Sequence, residues 1–464
     1  MGRHHELITA NDADSHSAVR ASHAIEEETK PASRRKLPFG LTFSSDAALS
    51  QGFLSLADQA VASITNFVTG VIIARASSKE QFGLYMLGFS LVLLLSDLQT
   101  SLIATPYMVF APRLKGRAAA LYAGSTLIHQ AVFSVLAMLA LACGALATRF
   151  GVGPRGMGSV LWALSAVVCL ILLREFVRRM CFASFKLGTV FFFDTCIGVG
   201  QIAGLLLLGR LGLVSASRAY WLVGSTCGIA VVLWLWFDRR FYQLRLDEAV
   251  ADLKKNWLFG KWVFASGLVW TAATNLYPWL LASFHGAAAA GVFAACVGVV
   301  SASNPALLGI QNLLGPKIAH EFAVKGERAL RRLVLKISAV LAAPVSLLAL
   351  ALILWGDRFI ALLYGSRYAG NGLVVAILAV NLLVTAVGFS YSRALFAIER
   401  ANLDFLLNLA TLFIMFTLGL WLVRTYGPLG AAAGLLGANI VTSLIRVGAF
   451  LKLSAHLHVE QEAI

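Results

Sequence analysis

Charge is scarce in this chain of 464 residues. Only 13% of the residues are charged, 59% are hydrophobic, and the mean hydropathy is +0.78. A soluble domain with this balance would expose far too much apolar surface, so the composition excludes an ordinary soluble protein and indicates an integral membrane protein. A helix that crosses a bilayer needs about 20 apolar residues, and many runs of that kind follow one another here.

Several motifs are also missing. The six cysteines form no CxxC pair and have no histidine at ligand spacing, so we expect no metal site and no disulfide framework. No GxxxxGK[ST] sequence is present, and the GxGxxG match "GVGPRG" (151–156) has no strand before it, so we expect no nucleotide cofactor. The first 36 residues lack the early apolar region of a secretory signal.

Large loops outside the apolar runs are lacking as well. The connections predicted to be outer span roughly 6 to 15 residues, and the first contains only Glu80 as an acid. Membrane glycosyltransferases and polymerases usually need paired carboxylates or basic catalytic groups in a sizeable outer loop. We therefore expect no enzyme, and such an enzyme is retained as the more distant alternative.

Hydropathy predicts an all-α integral membrane protein with about twelve transmembrane helices. The predicted domains are a disordered cytoplasmic tail with an interfacial segment, a first six-helix lobe, a basic cytoplasmic linker, a second six-helix lobe and a short tail; they cover 1–50, 51–237, 238–261, 262–452 and 453–464. The predicted spans are 53–74, 84–109, 118–147, 158–173, 187–208, 218–237, 262–283, 290–314, 334–355, 371–389, 404–423 and 429–451.

The placement of Lys and Arg predicts the orientation. With the N-terminus inside, the inner segments hold 28 of these residues and the outer segments hold nine. Short loops on the cytoplasmic side of membrane proteins carry an excess of Lys and Arg, so both termini are predicted to be cytoplasmic. The net charge of +15 then faces lipid headgroups or an anionic substrate rather than nucleic acid.

The two halves of the chain resemble each other. Thr65–Asn66 and Thr274–Asn275 each lie in an apolar span and are followed by Gly-aliphatic-aromatic, at Gly83 and Gly291. "RMCFASFK" (179–186) matches "RALFAIER" (393–400), and "APR" matches "GPK", with offsets of 204 to 214 residues. Because each half has an even number of spans, the repeats share one orientation and are related by an axis along the membrane normal. Two such lobes are typical of an alternating-access carrier.

"DQAVASITNFVTGVIIAR", "KEQFGLYML" and "LLYGSRYAGNG" also resemble polysaccharide-type flippases of the multidrug/oligosaccharidyl-lipid/polysaccharide (MOP) exporter superfamily, over about residues 51–452. The resemblance implies a transporter that flips a lipid-linked oligosaccharide, typically on undecaprenyl diphosphate, across the bacterial inner membrane. It implies membrane lipids as surroundings, a polysaccharide polymerase or export machinery as possible partners, and a monomer. The main alternative is a multidrug exporter of the same superfamily.

A polar path for such a substrate needs hydrogen-bonding side chains on several helices. In the first span, Gln59 and Asn66 share one helical face. The predicted substrate-path residues are Gln59, Asn66, Ser101, Asn275, Asn304, Asn381 and Arg446. For each one, an interhelical hydrogen bond that only holds the bundle together is the alternative interpretation.

Two carboxylates are candidates for H⁺ or Na⁺ coupling. Asp97 lies near the middle of its span, about 20 Å from either end at 1.5 Å per residue, whereas Asp58 lies only about 7–8 Å from the inner end of its span. We therefore rank Asp97 above Asp58. Five cations near inner span ends are predicted to form a mouth for phosphate: Arg113, Arg174, Arg179, Lys317 and Arg393.

Overall fold

The computed structural model describes the backbone of residues 45–238, 242–302, 304–398 and 400–462, and most side chains within these ranges. The predicted N-terminal tail lies almost entirely outside the described residues. Contacts divide the chain into two units. In the unit 1–53, the described residues form the first turns of a helix. All contacts discussed below lie within the unit 54–464.

The described residues contain helices and no strands. The helices are α1 (Ser45–Ala76), α2 (Lys79–Gln99), α3 (Thr105–Phe110), α4 (Gly116–Ala147), α5 (Met157–Ala183), α6 (Leu187–Arg210), α7 (Ala216–Asp238), α8 (Leu246–His285), α9 (Ala287–Ser301), α10 (Asn304–Tyr364), α11 (Gly372–Ala397) and α12 (Ala401–Glu462).

These helices account for the twelve predicted spans. Within the described part of the chain, nine helices are long and apolar enough to cross a membrane. One of the nine is most of α12, which covers two predicted spans because Gly427 has a φ of 56° and interrupts the helix between them. Gly326 has a φ of 69° and likewise interrupts α10 between two predicted spans. The predicted seventh span lies in the second part of α8, and the predicted eighth covers most of α9 and the start of α10. The predicted all-α membrane fold is confirmed.

The predicted fourth span, 158–173, was too short. Helix α5 continues to Ala183, because the apolar side chains of Phe176, Val177 and Met180 keep the helical spacing and are buried. Arg174 and Arg178 therefore lie inside the bundle rather than in an inner loop. Removing these two from the inner count leaves 26 basic residues against nine, so the charge bias persists.

The second span contains a π-helical segment, Thr100–Ala104, between α2 and α3. Pro106 lacks an N–H and so cannot donate to the carbonyl of Leu102, and the Thr105 N–H donates five residues back to the Thr100 carbonyl. One extra residue is thereby accommodated in this turn. Segments of this kind are frequent at functional sites, and this one lies directly after Asp97.

The buried apolar side chains show where the two lobes join. The largest cluster contains residues of both lobes, among them Phe82 and Tyr364, near the predicted outer ends of the helices. Towards the predicted inner ends, the clusters separate: Phe176 and Trp234 belong to a cluster confined to the first lobe, and Tyr391 belongs to one confined to the second. Among the described residues, the shared core therefore lies in the outer half of the molecule.

Two glycines of the sequence repeat form a close contact between the lobes. A Cβ at Gly83 would lie 1.8 Å from the carbonyl oxygen of Ala287, and a Cβ at Gly291 would lie 2.4 Å from that of Lys79. Helices α2 and α9 can cross at this distance only because both residues lack a side chain. The repeat thus brings its two matching glycines together at the interface.

Two arginines form hydrogen bonds between the lobes at the same end of the molecule. Arg75, at the end of α1, donates from Nε to the carbonyl of Leu363 at 2.8 Å and from a second nitrogen to that of Leu362. Arg367 donates to the carbonyl of Ser77 at 2.5 Å. Each guanidinium thus binds carbonyl groups at the C-terminal end of the other lobe's helix, where the helix dipole favours a positive charge.

A second glycine contact predicts a stability difference within α12. Gly434 and Gly419 form a notch for the buried ring of Tyr277, and a Cβ at Gly434 would lie 2.7 Å from the Tyr277 hydroxyl oxygen. Gly434→Ala is expected to cost about 1–3 kcal/mol. Gly437→Ala is the control, because no atom lies within 4 Å of its added Cβ, and it should stabilise the helix by about 0.5–1 kcal/mol. Thermal unfolding in detergent measures both, and equal melting temperatures would contradict the packing described here.

Candidate functional site

A cavity of about 250 Å³ lies among the helices of the first lobe. Its polar lining comes from α1, α2, the start of the π-helical segment, α5 and α6, whereas α7 contributes Tyr220, Val223 and Cys227. The polar lining residues are Thr65, Asn66, Ser96, Asp97, Thr100, Arg174, Glu175, Arg179, Asp194 and Gln201. We call this space the N-lobe cavity. Its charged lining comprises two arginines and three carboxylates, so it is suited to a polar or ionic ligand rather than to an apolar one.

Tyrosine side chains lie on the predicted outer side of the N-lobe cavity. The rings of Tyr85 and Tyr220 stack with centroids 5.0 Å apart, and the Tyr220 hydroxyl donates to the Tyr85 carbonyl at 2.5 Å. Gly88 makes room for this ring, since a Cβ there would lie 2.8 Å from the Tyr220 hydroxyl oxygen. The aromatic pair therefore closes the cavity on this side.

An ion-pair network forms the opposite, predicted inner, side. Arg174 and Arg178 lie one turn apart on α5. Arg174 is 2.6 Å from Glu175 and 2.6 Å from Asp194. Arg178 donates to Asp58 of α1 at 2.5 Å, and its Nε lies 2.8 Å from Asp194 of α6 without the angle of a hydrogen bond. The network joins three helices and pairs each of the three carboxylates with an arginine.

Arg179 differs from these two neighbours. It lines the N-lobe cavity, and its Nε is buried without a hydrogen-bond acceptor among the described residues. No described carboxylate is paired with it, although Asp58 and Asp194 are paired with the adjacent arginine. A cation of this kind can accept an anionic group of a ligand, because guanidinium groups bind phosphate with paired hydrogen bonds.

Asp97 occupies the α2 wall of the cavity and is exposed there. Its Oδ2 accepts a hydrogen bond from the Thr271 hydroxyl at 2.5 Å. Thr271 belongs to α8, the first span of the second lobe. The carboxylate therefore touches both the cavity and the other lobe. Ser101, one turn further on, is buried and donates to the Asp97 carbonyl at 2.8 Å.

A second charged cluster lies inside the second lobe. Arg446 donates to Asp404 at 2.8 Å and to Asn408 at 3.1 Å. By the repeat offset of 214 residues, Gly388 corresponds to Arg174 and Asn408 to Asp194. A Cβ at Gly388 would lie 3.5 Å from a guanidinium nitrogen of Arg446. The twelfth span thus supplies the arginine that the fourth span supplies in the first lobe.

Neither family models nor curated proteins match this sequence. Solved structures match its fold. An inward-facing multidrug resistance MATE family transporter of the MOP superfamily superposes with a TM-score of 0.70 at 15% identity, covering 86% of this chain and 95% of that one. The chain has the fold of the MOP-superfamily transporters. The lipid II flippase MurJ, in an inward closed conformation, gives a TM-score of 0.62 at 12% identity over 87% of this chain and 90% of that one.

The conformation of the MOP fold can be compared as well. An outward-facing MATE family transporter gives a TM-score of 0.56 at 15% identity, over 88% of this chain and 96% of that one. The inward-facing structure is therefore the more similar of these two. The shared core at the predicted outer ends and the separate cores at the inner ends agree with this comparison.

The MOP fold places the other predicted site residues as follows. Gln59 is exposed and does not line the N-lobe cavity. Asn275 donates to the Thr271 carbonyl at 2.9 Å, and Asn381 accepts from Asn439 at 2.8 Å. Arg113 is exposed at the end of the second span, and Arg393 lies over the ring of Phe389. The side chains of Asn304 and Lys317 lie outside the described residues.

Sequence reasoning missed Arg178 and Glu175. The signal was present in "LLREFVRRM" (172–180), where the charged residues alternate with apolar ones at helical spacing instead of ending the helix. The predicted substrate-path residues come from both lobes, and of these Asn66 lines the N-lobe cavity.

Proposed function

We propose that the protein flips a lipid-linked oligosaccharide, carried on a polyprenyl diphosphate such as undecaprenyl diphosphate, from the inner to the outer leaflet of the bacterial inner membrane. The fold supports a carrier of the MOP type. Both termini are cytoplasmic in this proposal, as the charge bias predicts. The protein acts without a bound cofactor and as a monomer, and it delivers its substrate to a polysaccharide polymerase or export machinery.

The proposal rests mainly on the position of Arg179. It is a cavity-lining cation without a carboxylate partner among the described residues. A diphosphate requires such a partner because moving its charge out of water is costly unless a cation compensates it. Asn66, Thr65 and Gln201 line the same cavity and offer hydrogen bonds to sugar hydroxyls. The prenyl tail remains in the surrounding lipid.

In the proposed cycle, the headgroup enters between the inner ends of the lobes and reaches the Arg179 side of the cavity. The lobes then rock about their interface. The contacts of Gly83, Gly291, Arg75 and Arg367 at the outer end break, and the headgroup is released outside. This cycle takes the present arrangement as the inward-facing state, because the inward-facing neighbour is more similar to it than the outward-facing one.

An ion gradient is proposed to drive the rocking through Asp97. Asp97 contacts Thr271 of the second lobe, so a bound H⁺ or Na⁺ would change a contact between the lobes, whereas Asp58 is buried and paired with Arg178. Asp97→Asn is expected to impair gradient-dependent transport more than Asp58→Asn does. Transport in vesicles with imposed pH or sodium gradients measures this. Wild-type rates of Asp97→Asn across all gradients would contradict the assignment.

Deletion of the gene tests the proposal in the cell. We expect lipid-linked sugars to accumulate in the inner leaflet and surface polysaccharide to fall. Complementation with the wild-type gene should restore both, and complementation with Arg179→Gln should not. Normal polysaccharide in the deletion strain would contradict the proposed substrate.

A multidrug exporter is the second candidate. It is favoured by the exposed carboxylate of Asp97 beside the aromatic rings of Tyr85 and Phe89, since these groups suit a cationic aromatic compound. In that case the deletion strain would keep its polysaccharide and become more sensitive to cationic drugs.

A further inference from the structure

Helix α8 is much longer than a membrane span requires. Helix α8 has 40 residues, or about 60 Å at 1.5 Å per residue, whereas the hydrocarbon core is about 30 Å thick. Its second part, beginning near Leu258, forms the seventh span. The first part, residues 246–257, therefore needs another location. We call this part the linker helix.

One face of the linker helix is fixed to the first lobe. Ala249 and Asn256 are buried on this face. The carbonyl of Ala249 lies 2.7 Å from Nε2 of His129, and Asn256 accepts from the Tyr122 hydroxyl at 2.9 Å. Just before the helix, the Gln243 N–H donates to the Ala120 carbonyl at 3.2 Å. All three partners lie in the first four turns of α4, so the linker helix lies at the predicted inner end of the bundle.

A neighbouring face of the linker helix is apolar and exposed. Leu246, Val250, Leu253 and Trp257 are 73%, 71%, 53% and 51% exposed. At about 100° per residue, these four side chains fall within an arc of about 60°. More than half of each side chain is therefore left uncovered by the described residues. A continuous apolar stripe at the level of the membrane surface is the arrangement by which interfacial helices bind lipid.

The charges around this stripe are arranged asymmetrically. Lys254 lies about 70° from its centre, whereas Asp247, Glu248 and Asp252 lie about 90° or more away on the same helical wheel. Lysines that border an apolar stripe can extend to headgroups while their stems stay in contact with lipid. The carboxylates point away from the stripe. This charge distribution favours an anionic surface over a neutral one.

We propose that the linker helix lies in the inner leaflet interface and binds anionic phospholipid through the Leu246–Trp257 stripe and the bordering Lys254. Because its other face is bound to α4, the helix moves with the first lobe. It thereby anchors that lobe to the inner leaflet beside the start of the predicted seventh span. The proposal goes beyond the transported substrate and does not depend on it.

Spin labels test the orientation of the stripe. The six native cysteines are first replaced, and single cysteines are introduced by Val250→Cys, Leu253→Cys or, as a control on the opposite face, Glu248→Cys. The full-length protein is reconstituted into vesicles, and collision rates are measured with oxygen and with a water-soluble nickel chelate. Labels at 250 and 253 should collide mainly with oxygen, and the label at 248 mainly with nickel. Nickel access at 250 equal to that at 248, or poor access to both reagents as expected under a protein partner, would overturn the proposal.

Lipid composition tests the charge preference. The oxygen-to-nickel ratio at position 250 should rise when phosphatidylglycerol is added to phosphatidylcholine vesicles. The variant Lys254→Gln should reduce this rise, since a lysine near an anionic surface strengthens binding about fivefold. Oxygen contact that does not respond to phosphatidylglycerol would overturn the assignment to anionic lipid. Neither measurement uses transport activity. A failure of the proposed function would therefore not change the outcome of these two tests.

Discussion

Arg178→Gln is expected to destabilise the first lobe strongly, whereas Arg179→Gln leaves its stability almost unchanged. Arg178 is the cation for the buried carboxylate of Asp58 and lies 2.8 Å from Asp194. Removing one partner of a buried ion pair costs about 3–5 kcal/mol, because the remaining charge stays buried. For a lobe of this size, this corresponds to a fall of roughly 6–12 °C or more in melting temperature. Thermal unfolding in detergent provides the measurement.

Arg179→Gln is the matched control, because it makes the same substitution one residue further along α5. No described carboxylate is left unpaired by it, so the melting temperature should stay within about 2 °C of the wild type. Transport of the anionic substrate should nevertheless be lost. A second variant, Arg178→Gln with Asp58→Asn, should recover part of the stability by removing the orphaned charge. Equal melting temperatures for the two single arginine variants would contradict the network described for α5.

Gly83→Ala is expected to open the predicted outer end of the molecule. The added Cβ would lie 1.8 Å from the Ala287 carbonyl oxygen and 2.9 Å from the Gly291 nitrogen, and these backbone atoms cannot rotate away. The lobes must therefore separate. Taking an overpacking cost of about 3 kcal/mol, the closed-to-open ratio at this end falls by roughly 100-fold. Transport falls with it, because the alternation between the two states is lost.

Distances between spin labels measure this opening. Glu80 and Ser366 are exposed at the outer ends of the two lobes, and labels attached through Glu80→Cys and Ser366→Cys should move apart in Gly83→Ala. Gly70→Ala is the control, because the nearest atom to its added Cβ is 3.9 Å away, at an ordinary contact distance. An unchanged distance distribution in Gly83→Ala would show that this crossing does not hold the lobes together.

The sequence was sufficient to predict the architecture. Long apolar runs predict membrane-spanning helices directly, because backbone N–H and C=O groups in hydrocarbon must form their hydrogen bonds within a helix. The repeat also located Gly83 and Gly291, since a residue without a side chain at matched positions is typical of a close helix crossing. The end of the fourth span was wrong because hydropathy treats Arg174 and Arg178 as loop residues. It cannot register carboxylates on other helices that compensate them.

The ion pairs within the site could not be predicted from the sequence, for a related reason. Asp58, Arg178 and Asp194 are separated by up to 136 positions, and only the packing of α1, α5 and α6 brings them together. Arg174 and Arg179 looked equivalent as inner cations, yet one is paired with Asp194 and the other lines the cavity without a described partner. The rank of Asp97 above Asp58, which rested on depth alone, stays a prediction. The contact of Asp97 with Thr271 supports it.

The transport reaction itself tests the central proposal most directly. The purified wild-type protein would be reconstituted into vesicles that contain a polyprenyl diphosphate-linked oligosaccharide, and the headgroups that cross the bilayer would be counted with an impermeant sugar-cleaving enzyme. The wild type should move the headgroup well above the protein-free rate, and equally well-folded Arg179→Gln should not. Movement at the protein-free rate by the wild type, or at the wild-type rate by Arg179→Gln, would contradict the proposed function.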